Sequence, residues 1–111
     1  MQQPFISSHD VDGQGNPEGG YAGAIGIGIV WQRGPLGAPD APDRKEPNGA
    51  FVETVIAMVI DRLTFYQDAA GGRFNCRENA VAIMRLEEAL ASLRARTDGR
   101  TRRGVEGTHE R

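Results

Sequence analysis

Residues 75–96 read NCRENAVAIMRLEEALASLRAR, and the fold turns on this stretch. Ile83, Leu86, Leu90 and Leu93 recur at spacings of three and four, a heptad-like seam along one side of a helix. Asn75 followed three residues later by Glu78 is a capping box, in which each side chain satisfies a backbone donor of the other residue. The spacing predicts a helix from this cap to about Arg96. Four residues before Ile83, the same line reaches Asn79, an amide on an otherwise apolar seam. Such a residue either fixes register and oligomeric state or faces a polar pocket.

A partner helix precedes it. Val52, Val55, Ile56, Val59, Ile60 and Leu63 form a broad apolar stripe, placing a first helix at 50–68 with Asn48 as its cap. The segment from Asp68 to Phe74 ends it, with Gly71 and Gly72 free to take left-handed backbone conformations. Two amphipathic helices joined by so short a connection lie antiparallel, as a hairpin. Upstream, Ile25, Ile27 and Ile29 alternate with Gly26, Gly28 and Val30 over residues 21–32, the period of a strand with one apolar face. Residues 33–49 hold four prolines and read as a loop. Residues 1–20 are rich in Gly, Asp and Gln and read as a flexible leader.

The expected architecture is therefore α+β. One domain over 21–111 follows the leader, with a β region at 21–49 and a helical hairpin and basic arm at 50–111. A lone strand and a two-helix hairpin make a thin core. At about 25 cal/mol per Å² of apolar burial they barely offset chain entropy, so homo-oligomerisation is expected to complete the fold.

Charge is unevenly spread. The 111 residues carry a net charge of −2, yet residues 94–111 hold six arginines against three acids. That arm is too short for a general nucleic-acid groove, so no DNA or RNA polymer is expected. A compact anionic ligand or an acidic patch on a partner subunit fits it better. The single cysteine, Cys76, forms no internal disulfide. No signal pattern or membrane-length apolar run is visible, and a cytoplasmic protein is expected.

Catalytic constellations are absent from the pattern. There is no dinucleotide fingerprint and no Walker-type loop. His9, His109 and Cys76 do not make a zinc spacing. Cys76 at a helix start with His109 as base is conceivable but has no orienting third group. No enzyme, cofactor or metal is expected. The aromatics Phe65, Tyr66 and Phe74 near the closed end of the hairpin are either core or, beside Asn79, flat faces for a nucleobase.

The run CRENAVAIMRLEEALASLRARTDGRTRRGVEGTHER, residues 76–111, resembles the C-terminal hairpin of phage anti-defence sponge proteins. These comprise the Thoeris anti-defence sponges and their anti-CBASS relatives. The stretches IGIVWQRGPLG (27–37) and NGAFVETVIAMVIDRLTFYQ (48–67) point to the Thoeris branch, since the anti-CBASS relatives are shorter and lack the strand region. The resemblance implies a small sheet plus a helical hairpin, assembled as dimers or hexamers. It implies capture, without cleavage, of a cyclic ADP-ribose isomer, the glycocyclic form made by TIR-domain enzymes of bacterial immunity. Some members also take cyclic oligonucleotides at a second site.

Residue by residue, the resemblance places an aromatic from the end of the first helix on the messenger, here Phe65 or Tyr66, in a connection longer than usual. The asparagine of C-x-x-N falls on Asn79, and the phosphate-facing arginines of R-T-x-x-R fall on Arg96 and Arg100. Arginine suits phosphate because its fork donates two hydrogen bonds and stays charged. Trp31 either stacks on the ligand from a neighbouring subunit or packs over the hairpin, and Glu106 and Thr108 could reach ribose hydroxyls. A sponge for cyclic di- or trinucleotides and a non-binding oligomeric adaptor are the competing readings.

Overall fold

The computed structural model describes residues 1–102. Three strands precede two helices: β1 (Ile6–Val11), β2 (Pro17–Ala24), β3 (Ile27–Trp31), α1 (Val52–Gly72) and α2 (Arg77–Arg102). The chain divides into two compact units. Met1–Phe51, with the end of α2 from Arg100, make one, and Val52–Gly99 make the other.

The first unit is built on an antiparallel meander in the order β1-β2-β3. Tyr21 at its centre faces Ser8 on one side and Val30 on the other. This corrects two expectations. The strand is not alone, and most of residues 6–20 belong to strands rather than to an unstructured leader. The polar β1 (ISSHDV) and the glycine-rich β2 (PEGGYAGA) lack apolar alternation, so their pairing rests on the backbone ladder and on turn chemistry. Asp12 supplies the turn. Its Oδ1 accepts from the backbone N–H groups of Gln14 (2.8 Å) and Asn16 (2.9 Å), and its Oδ2 accepts from Asn16 Nδ2 at 3.2 Å. Ile25, expected on the strand's apolar face, instead sits with Gly26 in the two-residue turn joining β2 to β3. The Tyr21 ring lies across Gly23, the one buried residue of the sheet.

Beyond β3 the proline-rich segment is a loop tied at its base. Asn48 Oδ1 accepts from the Arg33 N–H (2.8 Å), and Asn48 Nδ2 donates to the Arg33 carbonyl (3.1 Å). Gln32 Oε1 accepts from the Asn48 N–H at 2.9 Å. Ala50 then pairs with the outer edge of β3, donating to Val30 O (2.7 Å) and accepting from Gln32 N–H (3.0 Å). Gly49 makes this approach possible, because a Cβ there would lie 2.6 Å from the Trp31 carbonyl. Asn48 is thus committed to the loop base and does not cap α1, which starts at Val52.

In the second unit the hairpin follows the sequence pattern closely. Helical geometry in α1 runs to Asp68, where Ala69 turns extended and Ala70 and Gly71 take positive φ of 53° and 68°. Along α2, Asn79, Ile83, Leu86 and Leu93 are half-buried and Leu90 is buried, while most residues between them are exposed. The inward line is therefore the seam read from the sequence. Leu90, at 6% exposure, is the one buried hydrophobic side chain among the described residues. Val52, Met58, Val59, Phe65, Phe74 and Met84 are exposed. The helix start differs from expectation. The first intrahelical bond runs from the Ala80 N–H to the Cys76 carbonyl (3.2 Å), so Cys76 holds the cap position and the Asn75–Glu78 box does not form.

Candidate functional site

The last two turns of α1 carry a compact constellation. Phe65 and Tyr66 are both exposed, with ring centroids 6.0 Å apart and planes at 53°. Neither is core, and the structure holds them as a pair rather than singling out one. Arg62, one turn earlier, lays its guanidinium over both rings, 5.0 Å from the Phe65 centroid and 4.8 Å from that of Tyr66. Its Nε also donates to Tyr66 Oη at 3.2 Å. Spacings of three and four on a helix put these three side chains on one face. A similar contact occurs in the connection, where Arg73 lies 4.8 Å over the Phe74 ring. Flat apolar surface beside fixed positive charge suits a ligand that combines an aromatic ring with an anion.

The start of α2 is held to α1 by one side chain. Gln67 Oε1 accepts from the Cys76 N–H and Gln67 Nε2 donates to the Cys76 carbonyl, each at 3.0 Å. Asn75 Nδ2 adds a longer contact to the Gln67 carbonyl at 3.5 Å. This clamp explains why Cys76 rather than Asn75 begins the helix: its N–H is satisfied from α1. Asn79 follows one turn later, half-buried on the inward line of α2. Further along the same hairpin, Ala57, Ile60, Glu87, Leu90, Ala91 and Arg94 line a shallow cavity of about 280 Å³.

Arg96 and Arg100 both lie on α2, which continues through Gly99 to Arg102, so they stand one turn apart on one face. Arg96 is exposed and Arg100 half-buried. Trp31 ends β3 opposite Gly20 and is half-buried in the first unit. Glu106 and Thr108 lie outside the described residues. Among the described residues no cluster of His, Cys, Asp or Glu could hold a metal ion, and no helix is long and apolar enough to cross a membrane.

Sequence reasoning missed Arg62 and Gln67. For Arg62 the signal was present as an arginine three and four residues before two aromatics on a helix. For Gln67 there was none, because its partner is a backbone group across a turn of irregular geometry.

Comparison with known proteins bears on the same segment. The family model described as "Acb2/Tad1, hairpin domain" matches residues 29–98, a span that includes Trp31, Phe65, Tyr66, Asn79 and Arg96. A curated relative, "Thoeris anti-defense 1" of Bacillus phage SBSphiJ7, is 58% identical over 91 residues, covering 82% of this chain and 57% of the relative. The chain thus spans little more than half of that relative's length.

Proposed function

The chain belongs to the Acb2/Tad1 hairpin family, and from that premise we propose that it binds and sequesters a cyclic nucleotide immune signal without cleaving it. By capturing the signal it blocks a bacterial anti-phage defence, in keeping with the anti-defence name of its relative. The proposed ligand is the glycocyclic ADP-ribose made by TIR-domain enzymes, and the protein acts in the cytoplasm of the infected or lysogenic host.

The observation that carries this reading is the exposed Phe65–Tyr66 pair at the end of α1, in a hairpin whose second helix bears Asn79 on its inward line. A base stacked on such rings gains roughly 1–3 kcal/mol, and an amide can pair with its edge. We also propose Arg96 and Arg100 as phosphate contacts and Trp31, Glu106 and Thr108 as further ligand-binding residues. Sequestration needs only such complementarity, with no nucleophile or general base.

Assembly is part of the proposal. Among the described residues, one buried hydrophobic side chain and a series of exposed ones make a thin core for the isolated chain. Homo-oligomerisation, as a dimer or hexamer, would cover that surface.

A thermal shift of the full chain against cyclic ADP-ribose isomers, cyclic di- and trinucleotides and linear ADP-ribose tests the reading. A rise in midpoint with a cyclic ADP-ribose isomer is expected. A rise only with cyclic oligonucleotides would reassign the ligand to that class. No rise with any of them would leave an oligomeric adaptor.

A further inference from the structure

Among the described residues, Arg62 is the arginine whose guanidinium lies over two rings. Arg85 is paired with Glu88 at 3.5 Å, the one ion pair among the described residues. Arg62 has no carboxylate partner among them, and its hydrogen bond is the one from Nε to Tyr66 Oη. The guanidinium carbon lies 5.0 Å from the Phe65 ring centroid and 4.8 Å from that of Tyr66. With Nε committed to the tyrosine, the Nη groups are left to meet an incoming acceptor. Their geometry matches two oxygens of one phosphate.

We infer that Arg62 is an anion-binding, specificity-determining residue of the aromatic site. A base lies on the exposed surface of Phe65 and Tyr66, and the Nη edge of Arg62 holds a phosphate of the same ligand. The inference rests on the nucleotide-signal reading and deepens it. Discrimination between a nucleotide and the corresponding nucleoside then arises partly at the end of α1, and not only at Arg96 and Arg100 on α2. The same contact also orients the tyrosine before the ligand arrives, since Tyr66 Oη is held by Nε.

Titration calorimetry of the full chain with glycocyclic ADP-ribose at two salt concentrations tests it, using the wild type, Arg62→Ala and Arg62→Lys. Loss of a charge-assisted phosphate contact should weaken Arg62→Ala roughly ten- to hundredfold and flatten its salt dependence. Arg62→Lys should keep the salt dependence and recover only part of the affinity, because an ammonium lacks the fork. Wild-type affinity in Arg62→Ala would overturn the inference and leave the nucleotide reading intact. So would a loss with unchanged salt dependence, which marks a residue that only holds the rings. Tighter binding by Arg62→Ala would also overturn it, marking a side chain that merely occupies the stacking surface. A wild type that takes up no glycocyclic ADP-ribose would remove the nucleotide reading, and this inference with it.

Discussion

Replacing Gln67 with alanine removes its two side-chain bonds to Cys76 at the start of α2. Each bond is 3.0 Å long and joins a side-chain amide to a backbone group of Cys76, so each contributes about 1 kcal/mol net. Cys76 is half-buried and its carbonyl keeps the Ala80 N–H (3.2 Å), so only its N–H loses a partner, which trims the penalty. The expected loss is about 1–2 kcal/mol. At roughly 4–8 °C per kcal/mol in a domain of this size, the melting midpoint should fall by about 5–15 °C. Gln67→Glu should recover part of the loss, because it still accepts from the Cys76 N–H but has no proton for the Cys76 carbonyl. Urea denaturation followed by helical circular dichroism measures all three proteins. A loss in Gln67→Ala below about 0.5 kcal/mol, the ordinary scatter of surface substitutions, would refute the clamp.

Ala70 holds a left-handed backbone conformation that costs a side-chain-bearing residue roughly 1 kcal/mol, so Ala70→Gly should raise the midpoint by a few degrees, and a lower midpoint would contradict the turn geometry. Leu90→Ala enlarges the cavity that the buried Leu90 lines and should cost about 2–3 kcal/mol in the same urea assay. If assembly completes the core, Leu90→Asp should lower stability and scattering mass together, whereas a folded wild-type monomer at micromolar concentration would contradict assembly. Arg100→Ala should weaken signal binding with a flatter salt dependence, while Asn79→Ala should weaken it at nearly constant salt slope. An altered oligomer in Asn79→Ala with unchanged affinity would make Asn79 a register-fixing residue instead.

The hairpin was legible because helix periodicity is a strong signal. The line through Asn79, Ile83, Leu86, Leu90 and Leu93 is the inward line of α2, and the end of α1 at Asp68 falls where the glycines placed it. Caps were less legible, since they depend on distant groups. Asn48 has the composition of a cap, yet the backbone of Arg33 claims its side chain across the loop. Cys76 takes the cap position from Asn75 because Gln67 satisfies its N–H. β1 and most of β2 were hidden for a different reason. Ser7, Ser8, His9, Gly19, Gly20 and Gly23 carry no apolar alternation, and the Asp12–Asn16 turn that organises them resembles an ordinary polar linker.

That sheet also changes the argument for assembly. A lone strand needing a partner no longer supports it, because β2 has a neighbour on each side. The exposed Val52, Val59 and Met84 of the helices support it instead. Of the candidate site, Phe65, Tyr66 and Asn79 were legible as residue types at the closed end of a hairpin. Arg62 draws its meaning from how its guanidinium is held, which spacing alone does not convey.

Capture without turnover is the central claim, and recovery of the ligand tests it most directly. The full chain is incubated with glycocyclic ADP-ribose, the unbound fraction is removed by filtration, and the complex is heated to denature the protein. The account predicts depletion from the filtrate in fixed proportion to protein, followed by return of chemically intact cyclic ligand on heating. Linear or cleaved product exceeding one equivalent per chain would contradict it and require an active site in this protein.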